Sequence, residues 1–177
     1  MFPETIETER LHLRRPVGSD AGVIFSSYAQ DPEVTRYLVW RPHSQVETTK
    51  AFVAECELRW TDGSGYPYAI ALKNSAEHLI GMIDLRPKTH RVEFGFVLAR
   101  AYWGKGFMPE AISAVAAACL NMPTIYRFEA TCDVENRRSA RAMEKAGLIF
   151  EGVLRRYIVH PNISREPRDS LLYAITK

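Results

Sequence analysis

The chain has 177 residues, of which 46% are hydrophobic and 25% are charged, as in a globular protein; one domain over residues 1–177 is expected. Its 23 Lys and Arg residues and 21 Asp and Glu residues leave a net charge of +2. That balance argues against nucleic acid or an anionic membrane as the main partner, although a local basic patch for a polyanionic ligand remains open.

The first third of the chain predicts one strand followed by helices. Leu11 and Leu13 alternate with His12 and Arg14, which predicts a strand over residues 8–15. Helical segments are predicted from residue 19 or 20 to about 29, from 31 onwards, and over 44–60.

After the glycine-rich turn at 62–65 the hydrophobic period becomes that of extended chain. Three strands are predicted over 66–73, 79–85 and 91–98, with polar turns at 74–77 and 87–89. In the third strand Phe94 and Phe96 share one face, whereas Glu93, Gly95 and Val97 share the other.

The last third alternates helices and strands. Helices are predicted over 107–120 and 136–146, and strands over 125–132, 148–159 and 169–176, with a loop at 160–168. This order predicts an α/β (α+β) fold in which helices cover a mixed sheet.

The cysteines and the start of the chain predict a cytoplasmic protein. Cys56, Cys119 and Cys132 show no CxxC spacing and lie in apolar sequence, so buried free thiols are expected. Met1–Glu4 lacks the features of a secretory signal, and no apolar run approaches the ~20 residues of a membrane span. The histidines show no metal-ligand spacing, so no metal is expected.

The turn Gly104-Lys105-Gly106 joins a predicted strand to a predicted helix. Two glycines permit a tight turn that exposes backbone N–H groups, and a helix N-terminus adds free donors and partial positive charge. The combination is typical of a phosphate-binding turn, to which Arg100 and Lys105 would add charge. The alternative is a turn that only reverses the chain.

Two better-known phosphate motifs do not fit this turn. A P-loop requires Ser or Thr directly after its Gly-Lys pair, and Gly106 stands there instead. The dinucleotide fingerprint requires a third glycine where this chain has Pro109.

Phe94–Leu98 followed by Tyr102–Ala111 resembles the acetyl-CoA-binding motif of the GNAT superfamily. Its form is similar to that of the branch containing the N-terminal alanine and serine acetyltransferases of ribosomal proteins. Further segments resemble that branch in the same order along the chain: Thr8–Leu11, Leu13-Arg14, Asp31–Val34, Asn136–Ser139, Glu144–Leu148 and Glu151-Gly152.

The resemblance implies a mixed, mostly antiparallel sheet of about seven strands with helices on both faces, splayed open between the 91–98 and 125–132 strands. Acetyl-CoA would lie in that opening as co-substrate, without a metal. The residues implied as its contacts are Phe96, Val97, Leu98, Tyr102, Trp103, Gly104, Lys105, Gly106, Phe107, Met108, Asn136, Ser139 and Met143.

The sequence departs from the family pattern at two positions. Ala101 stands where the motif usually has Gln or Arg, and Met143 stands where many members carry a tyrosine general acid. The resemblance then leaves Ser139 as the nearest hydroxyl. Asn136 and Ser139 also read as the ordinary N-terminal cap and first turn of a helix.

Amine acetylation needs a neutral amine, so a base must remove a proton. Glu93, an acidic residue in the middle of a strand, is the candidate base; its alternative is an ion pair with Arg91. Residues expected at the acceptor are Glu33, Tyr37, Trp40, Glu93 and Tyr157, with His160 a weaker candidate.

The prediction is therefore transfer of acetyl from acetyl-CoA to a primary amine, either a protein N-terminus or a small molecule, by direct attack in a ternary complex. A CoA-sensing module with little catalysis and an unrelated nucleotide-phosphate-binding domain are the alternatives. A homodimer is compatible with the family.

Overall fold

A computed structural model of the chain describes residues 2–177, with Ala76 and Glu77 described by their backbone alone. Met1, which entered the argument about a secretory signal, lies outside the described residues. The described strands are β1 (Thr5–Glu7), β2 (Leu11–Arg14), β3 (Tyr66–Leu72), β4 (Ser75–Pro87), β5 (Arg91–Leu98), β6 (Arg127–Asp133), β7 (Ile149–Ile158) and β8 (Arg168–Thr176).

The described helices are α1 (Ala21–Ile24), α2 (Pro32–Thr35), α3 (Val46–Asp62), α4 (Phe107–Leu120) and α5 (Arg137–Lys145). A π-helical turn at Phe25–Ala29 extends α1, and short 3-10 turns lie at Gly18–Asp20 and Arg100–Tyr102. Helix α3 begins two positions later than predicted, and β4 already begins at Ser75, inside the predicted polar turn.

The strands of residues 2–177 form one sheet in the order β1-β2-β3-β4-β5-β6-β8-β7. Neighbouring strands are antiparallel, with β5 and β6 the one parallel pair among those described. The mixed, mostly antiparallel sheet is therefore confirmed. It has eight strands instead of about seven, because the short Thr5–Glu7 segment pairs with β2.

The parallel pair opens into a wedge. β5 and β6 pair at Arg91↔Arg127, Val92↔Phe128 and Glu93↔Glu129, and at no later described position. Beyond that point β5 follows β4 up to Leu98, whereas β6 follows β8 up to Asp133. The two halves of the sheet thus diverge after Glu93.

Stacked aromatic rings fill the closed end of the wedge. The Phe94 and Phe128 rings lie 4.2 Å apart with 7° between their planes, and both side chains are buried. Burying a side chain of this kind stabilises a fold by about 1.5–3 kcal/mol, so the point of divergence is a rigid part of the core.

Helices cover both faces of the sheet, as predicted. On β3, Tyr68 and Ile70 belong to the core beneath α4, whereas Ala69 and Ala71 belong to the core beneath α1 and α3. Alternate residues of a strand point to opposite faces of the sheet, so successive residues of β3 contribute in turn to the two cores. The alanine-rich α4 supplies the parallel connection from β5 to β6.

Gly81 brings β4 and β5 together along the strand that borders the wedge. A Cβ at this position would lie 2.3 Å from the carbonyl oxygen of Val97 and 3.1 Å from the Cα of Leu98. Because both contacts are backbone atoms, they cannot move aside without shifting β5.

We therefore expect Gly81→Ala to lower the free energy of unfolding by roughly 1–3 kcal/mol, measured by urea denaturation. Gly22→Ala is the control, because a Cβ on that α1 residue meets nothing within 4 Å. Equal stability of the two variants would contradict a close approach at Gly81.

Candidate active site

A cleft of about 760 Å³ follows the wedge between β5 and α5. Most residues predicted to hold acetyl-CoA line it: Phe96, Val97, Leu98, Tyr102, Trp103, Gly104, Gly106, Phe107, Met108, Asn136 and Ser139. Lys105 is exposed beside the cleft, and its amine lies 5.4 Å from the centre of the Tyr102 ring. Met143 is fully buried, so it packs behind the cleft wall and not on the wall itself.

The Gly104–Gly106 turn has the backbone geometry of an anion site. Gly104 and Gly106 have φ of 75° and 81°, in the left-handed region that side chains disfavour. Gly106 is the N-cap of α4 and has no side chain with which to satisfy the first N–H groups of the helix. Those donors and the positive end of the helix dipole therefore lie at the turn, which lines the cleft.

The N-terminal strand segment supports this turn from outside. The Glu110 carboxylate accepts hydrogen bonds from the Thr8 hydroxyl at 2.6 Å and from the Arg10 side chain at 2.6 Å. Arg10 also donates to the carbonyl of Lys105 at 3.0 Å. Burial tends to raise the pKa of Glu110, but these hydrogen bonds outweigh it and lower the pKa, so the carboxylate stays ionised.

The indole of Trp103 closes the end of β5. Its N–H donates to the carbonyl of Leu98 at 2.7 Å, which fixes the ring at the mouth of the cleft. Across the mouth, the guanidinium carbon of Arg138 lies 4.6 Å from the ring centre. Trp103 belongs to the β5 half of the wedge and Arg138 to the β6 half.

The start of α5 forms the second wall. The side-chain oxygen of Asn136 accepts a hydrogen bond from the backbone N–H of Ser139 at 3.2 Å. Asn136 is therefore the N-terminal cap of α5, the ordinary role considered for it from the sequence. Both residues also line the cleft, so capping and ligand contact are compatible.

The three cysteines are free and buried in the described chain, as expected. Burial raises the pKa of Cys132, which lies near Ser139, to about 12, although a hydrogen bond with Ser139 acts in the opposite direction. Burial likewise raises the pKa of Cys56 and of Cys119 to about 12. All three are neutral thiols at pH 7 and poor nucleophiles.

Glu93 lies at the last paired position of β5 and β6, at the narrow end of the wedge. Its carboxylate is 3.3 Å from the guanidinium of Arg91, which also contacts Glu129 at 2.9 Å. Its side chain is 31% exposed, and it is not among the residues that line the cleft. The ion pair with Arg91, considered as the alternative for Glu93, is therefore present.

The segment around α2 forms the cleft wall opposite α5. Glu33 and Tyr37 line it, as predicted for acceptor residues. Trp40 lies outside the lining and packs against His43, with ring centres 5.0 Å apart. Tyr157 is 53% exposed on β7, away from the cleft.

The loop after β7 holds this wall in place. The Asn162 amide donates to the carbonyls of Thr35 at 2.7 Å and Trp40 at 2.8 Å. His160 is buried edge-on to Tyr37 and 3.7 Å from the Asp133 carboxylate. Burial lowers the pKa of His160 more than Asp133 raises it, so the imidazole is neutral at pH 7 and packs behind the wall.

Residues 2–177 contain no cluster of three or more His, Cys, Asp or Glu side chains able to hold a metal ion. Within the same residues, no helix has the length and apolar character needed to cross a membrane.

The family model of the acetyltransferase (GNAT) domain matches residues 10–149. The chain belongs to the GNAT acetyltransferase family. YoaA of Bacillus subtilis strain 168, an uncharacterized N-acetyltransferase, is 31% identical to it over 179 residues, which cover 100% of this chain and 98% of YoaA.

Solved GNAT structures have the same fold. A GNAT-family acetyltransferase from Bacillus anthracis is 28% identical, has a TM-score of 0.83, and covers 97% of this chain and 98% of its own. RimL, a ribosomal L7/L12 alpha-N-protein acetyltransferase solved in complex with coenzyme A, has a TM-score of 0.85 with 98% of each chain covered. At 19% identity RimL shows likeness of fold alone. The protein is thus an acetyl-CoA-dependent acyltransferase.

The cleft of this GNAT acetyltransferase is also lined by charged residues that the sequence did not identify as cleft contacts. They are Arg36, Glu135, Arg137, Arg138, Arg141 and Lys145. Those on α5 recur at spacings that place residues on neighbouring turns of one side of a helix. That spacing was the available signal, but it does not reveal which side of α5 faces the wedge.

Proposed function

We propose that the protein transfers an acetyl group from acetyl-CoA to a primary amine by direct attack in a ternary complex. The observation that carries the proposal is the continuity of the wedge with the Gly104–Gly106 turn. One cleft combines a stretch of β5 that has no described strand partner on the wedge side with the left-handed glycine turn at the start of α4.

The residues that line the cleft fit the parts of acetyl-CoA. The polar amides of the pantetheine arm suit the backbone of Phe96–Leu98, which has no described strand partner on the wedge side. The pyrophosphate suits the N–H groups of the turn and of the first residues of α4. This arrangement directs the thioester towards the narrow end of the wedge.

At that end the proposal assigns Glu93 as the base that takes a proton from the attacking amine, directly or through water. Glu93 is the acidic residue of β5 at the point of divergence, on the same face as the cleft-lining Val97. Ser139, which lines the cleft on α5, is assigned the proton that the departing CoA thiolate takes up. The buried Met143 offers no proton, so a tyrosine mechanism at that position is excluded.

The acceptor is proposed to be the α-amine of a protein N-terminus or a small amine. Glu33 places a carboxylate on the cleft wall, and this carboxylate attracts an amine in its ammonium form before deprotonation. The likeness of fold to RimL, described as an alpha-N-protein acetyltransferase, supports the first choice. A single domain, a cytoplasmic location and a homodimer stay predictions from the sequence.

The direct test is a transfer assay with peptides that have free or blocked N-termini and with small amines, in which release of free CoA thiol is measured. We expect acceptor-dependent thiol release. A protein that binds acetyl-CoA but transfers to no member of the panel would instead favour the sensing-module alternative.

For the turn, we expect Gly104→Ala to weaken CoA binding by about 10-fold or more, equivalent to roughly 1.4 kcal/mol, as measured by calorimetry. The added methyl strains the left-handed backbone and obstructs close approach of the pyrophosphate. Gly147→Ala is the matched control, because Gly147 has φ of 91° and lies outside the cleft lining. Equal affinity in both variants would refute the anion site.

For the base, we expect Glu93→Gln to reduce kcat by roughly 100-fold or more while CoA affinity is nearly kept, since general base catalysis contributes about that much. Glu129→Gln is the control, because Glu129 pairs with Glu93 across β5 and β6 and also contacts Arg91. An equal loss in Glu129→Gln would assign the effect to the ion pairs.

A further inference from the structure

We propose that Arg138, held against Trp103, is the side-chain cation that binds the pyrophosphate of CoA. This inference rests on the proposed function and deepens it, because it assigns the phosphate end of the donor to a residue from the other half of the wedge.

Neither of the cations nearest in sequence to the turn, Arg100 and Lys105, lines the cleft. Arg100 contacts the Asp31 carboxylate at 3.1 Å. Lys105 lies outside the cleft lining. Ala101 carries no charge. None of these three residues therefore brings a cationic side chain to the cleft beside the glycine turn.

Arg138 approaches from the opposite wall. It lines the cleft, and among the ion pairs of the described residues it has no carboxylate partner. Arg137, Arg141 and Lys145 also line the cleft without such a partner, but among these described cations of α5 it is Arg138 that packs on an aromatic ring. The charge of Arg138 is therefore available to an anion in the cleft.

Trp103 determines how that charge is presented. The indole is fixed by its hydrogen bond to the Leu98 carbonyl, and the guanidinium of Arg138 lies 4.6 Å from the ring centre. A guanidinium resting on an aromatic face keeps its in-plane N–H donors free. Those donors suit two oxygens of one phosphate group, which a lysine amine cannot match in geometry.

The arrangement also connects the two halves of the wedge. Trp103 follows β5 through the 3-10 turn, whereas Arg138 is carried by α5, which follows β6. A pyrophosphate on the Gly104–Gly106 turn would accept from N–H groups of the β5 half and from Arg138 of the β6 half. Affinity for CoA would then depend on both halves, and affinity for a phosphate-free fragment would not.

The test is calorimetric titration of the full chain with CoA and with pantetheine, which lacks the phosphates. We expect Arg138→Ala to weaken CoA binding by about 10-fold and to leave pantetheine binding within about 2-fold, because it removes a charge-assisted contact to phosphate. Arg138→Lys should recover only part of the loss, since it restores the charge without the planar donors. Arg155→Ala is the charge-matched control, because Arg155 is 85% exposed and outside the cleft lining.

Each result distinguishes the possibilities. Equal CoA affinity in Arg138→Ala and wild type would overturn the assignment, and so would an equal loss for CoA and pantetheine, which would indicate a structural role. A loss of CoA affinity in Arg155→Ala as large as that in Arg138→Ala would attribute the effect to net charge and would also overturn the assignment. A wild-type chain that fails to bind CoA would refute the proposed function itself.

Discussion

The site depends on the divergence of β5 and β6 after Glu93 and Glu129. Each strand keeps its antiparallel partner on the far side, so the sheet opens without losing its outer ladders. The stacked Phe94 and Phe128 rings fix the closed end. Because backbone groups of β5 beyond this point lack a described strand partner, the wedge offers a ligand the hydrogen bonds that a neighbouring strand would otherwise make.

Around the wedge, charged groups divide into those that hold the structure and those available to a ligand. Glu110 and Arg10 bind each other and support the glycine turn, whereas Arg91 contacts Glu93 and Glu129 at the closed end. Both sets connect distant parts of the chain. The basic face of α5 is different, because it lines the cleft and Arg138 meets an aromatic ring there instead of a carboxylate. That distinction separates the structural ion pairs from the cations of α5 that line the cleft.

The sequence predicted the fold class, and the family resemblance supplied expected cofactor contacts, most of which line the cleft. Phe96–Leu98 and the Gly104–Gly106 turn were recognisable because local rules govern them: alternation in a strand, and glycine where the backbone turns tightly. Several expected contacts do not line the cleft, and their positions depend on tertiary packing. Met143 matched a family position but is buried behind the wall, Trp40 packs beside His43, and Tyr157 lies on the far strand β7.

By itself, the sequence determined the order of strands and helices and the tight glycine turn before α4, because hydrophobic period and glycine position act over a few residues. Tertiary structure alone decided which side of α5 faces the wedge and which cations remain without a carboxylate. It also decided that Glu93 and Glu129 meet at the point where β5 and β6 diverge. These are relations between β5, β6 and α5, and they arise only when the parallel pair forms and then separates.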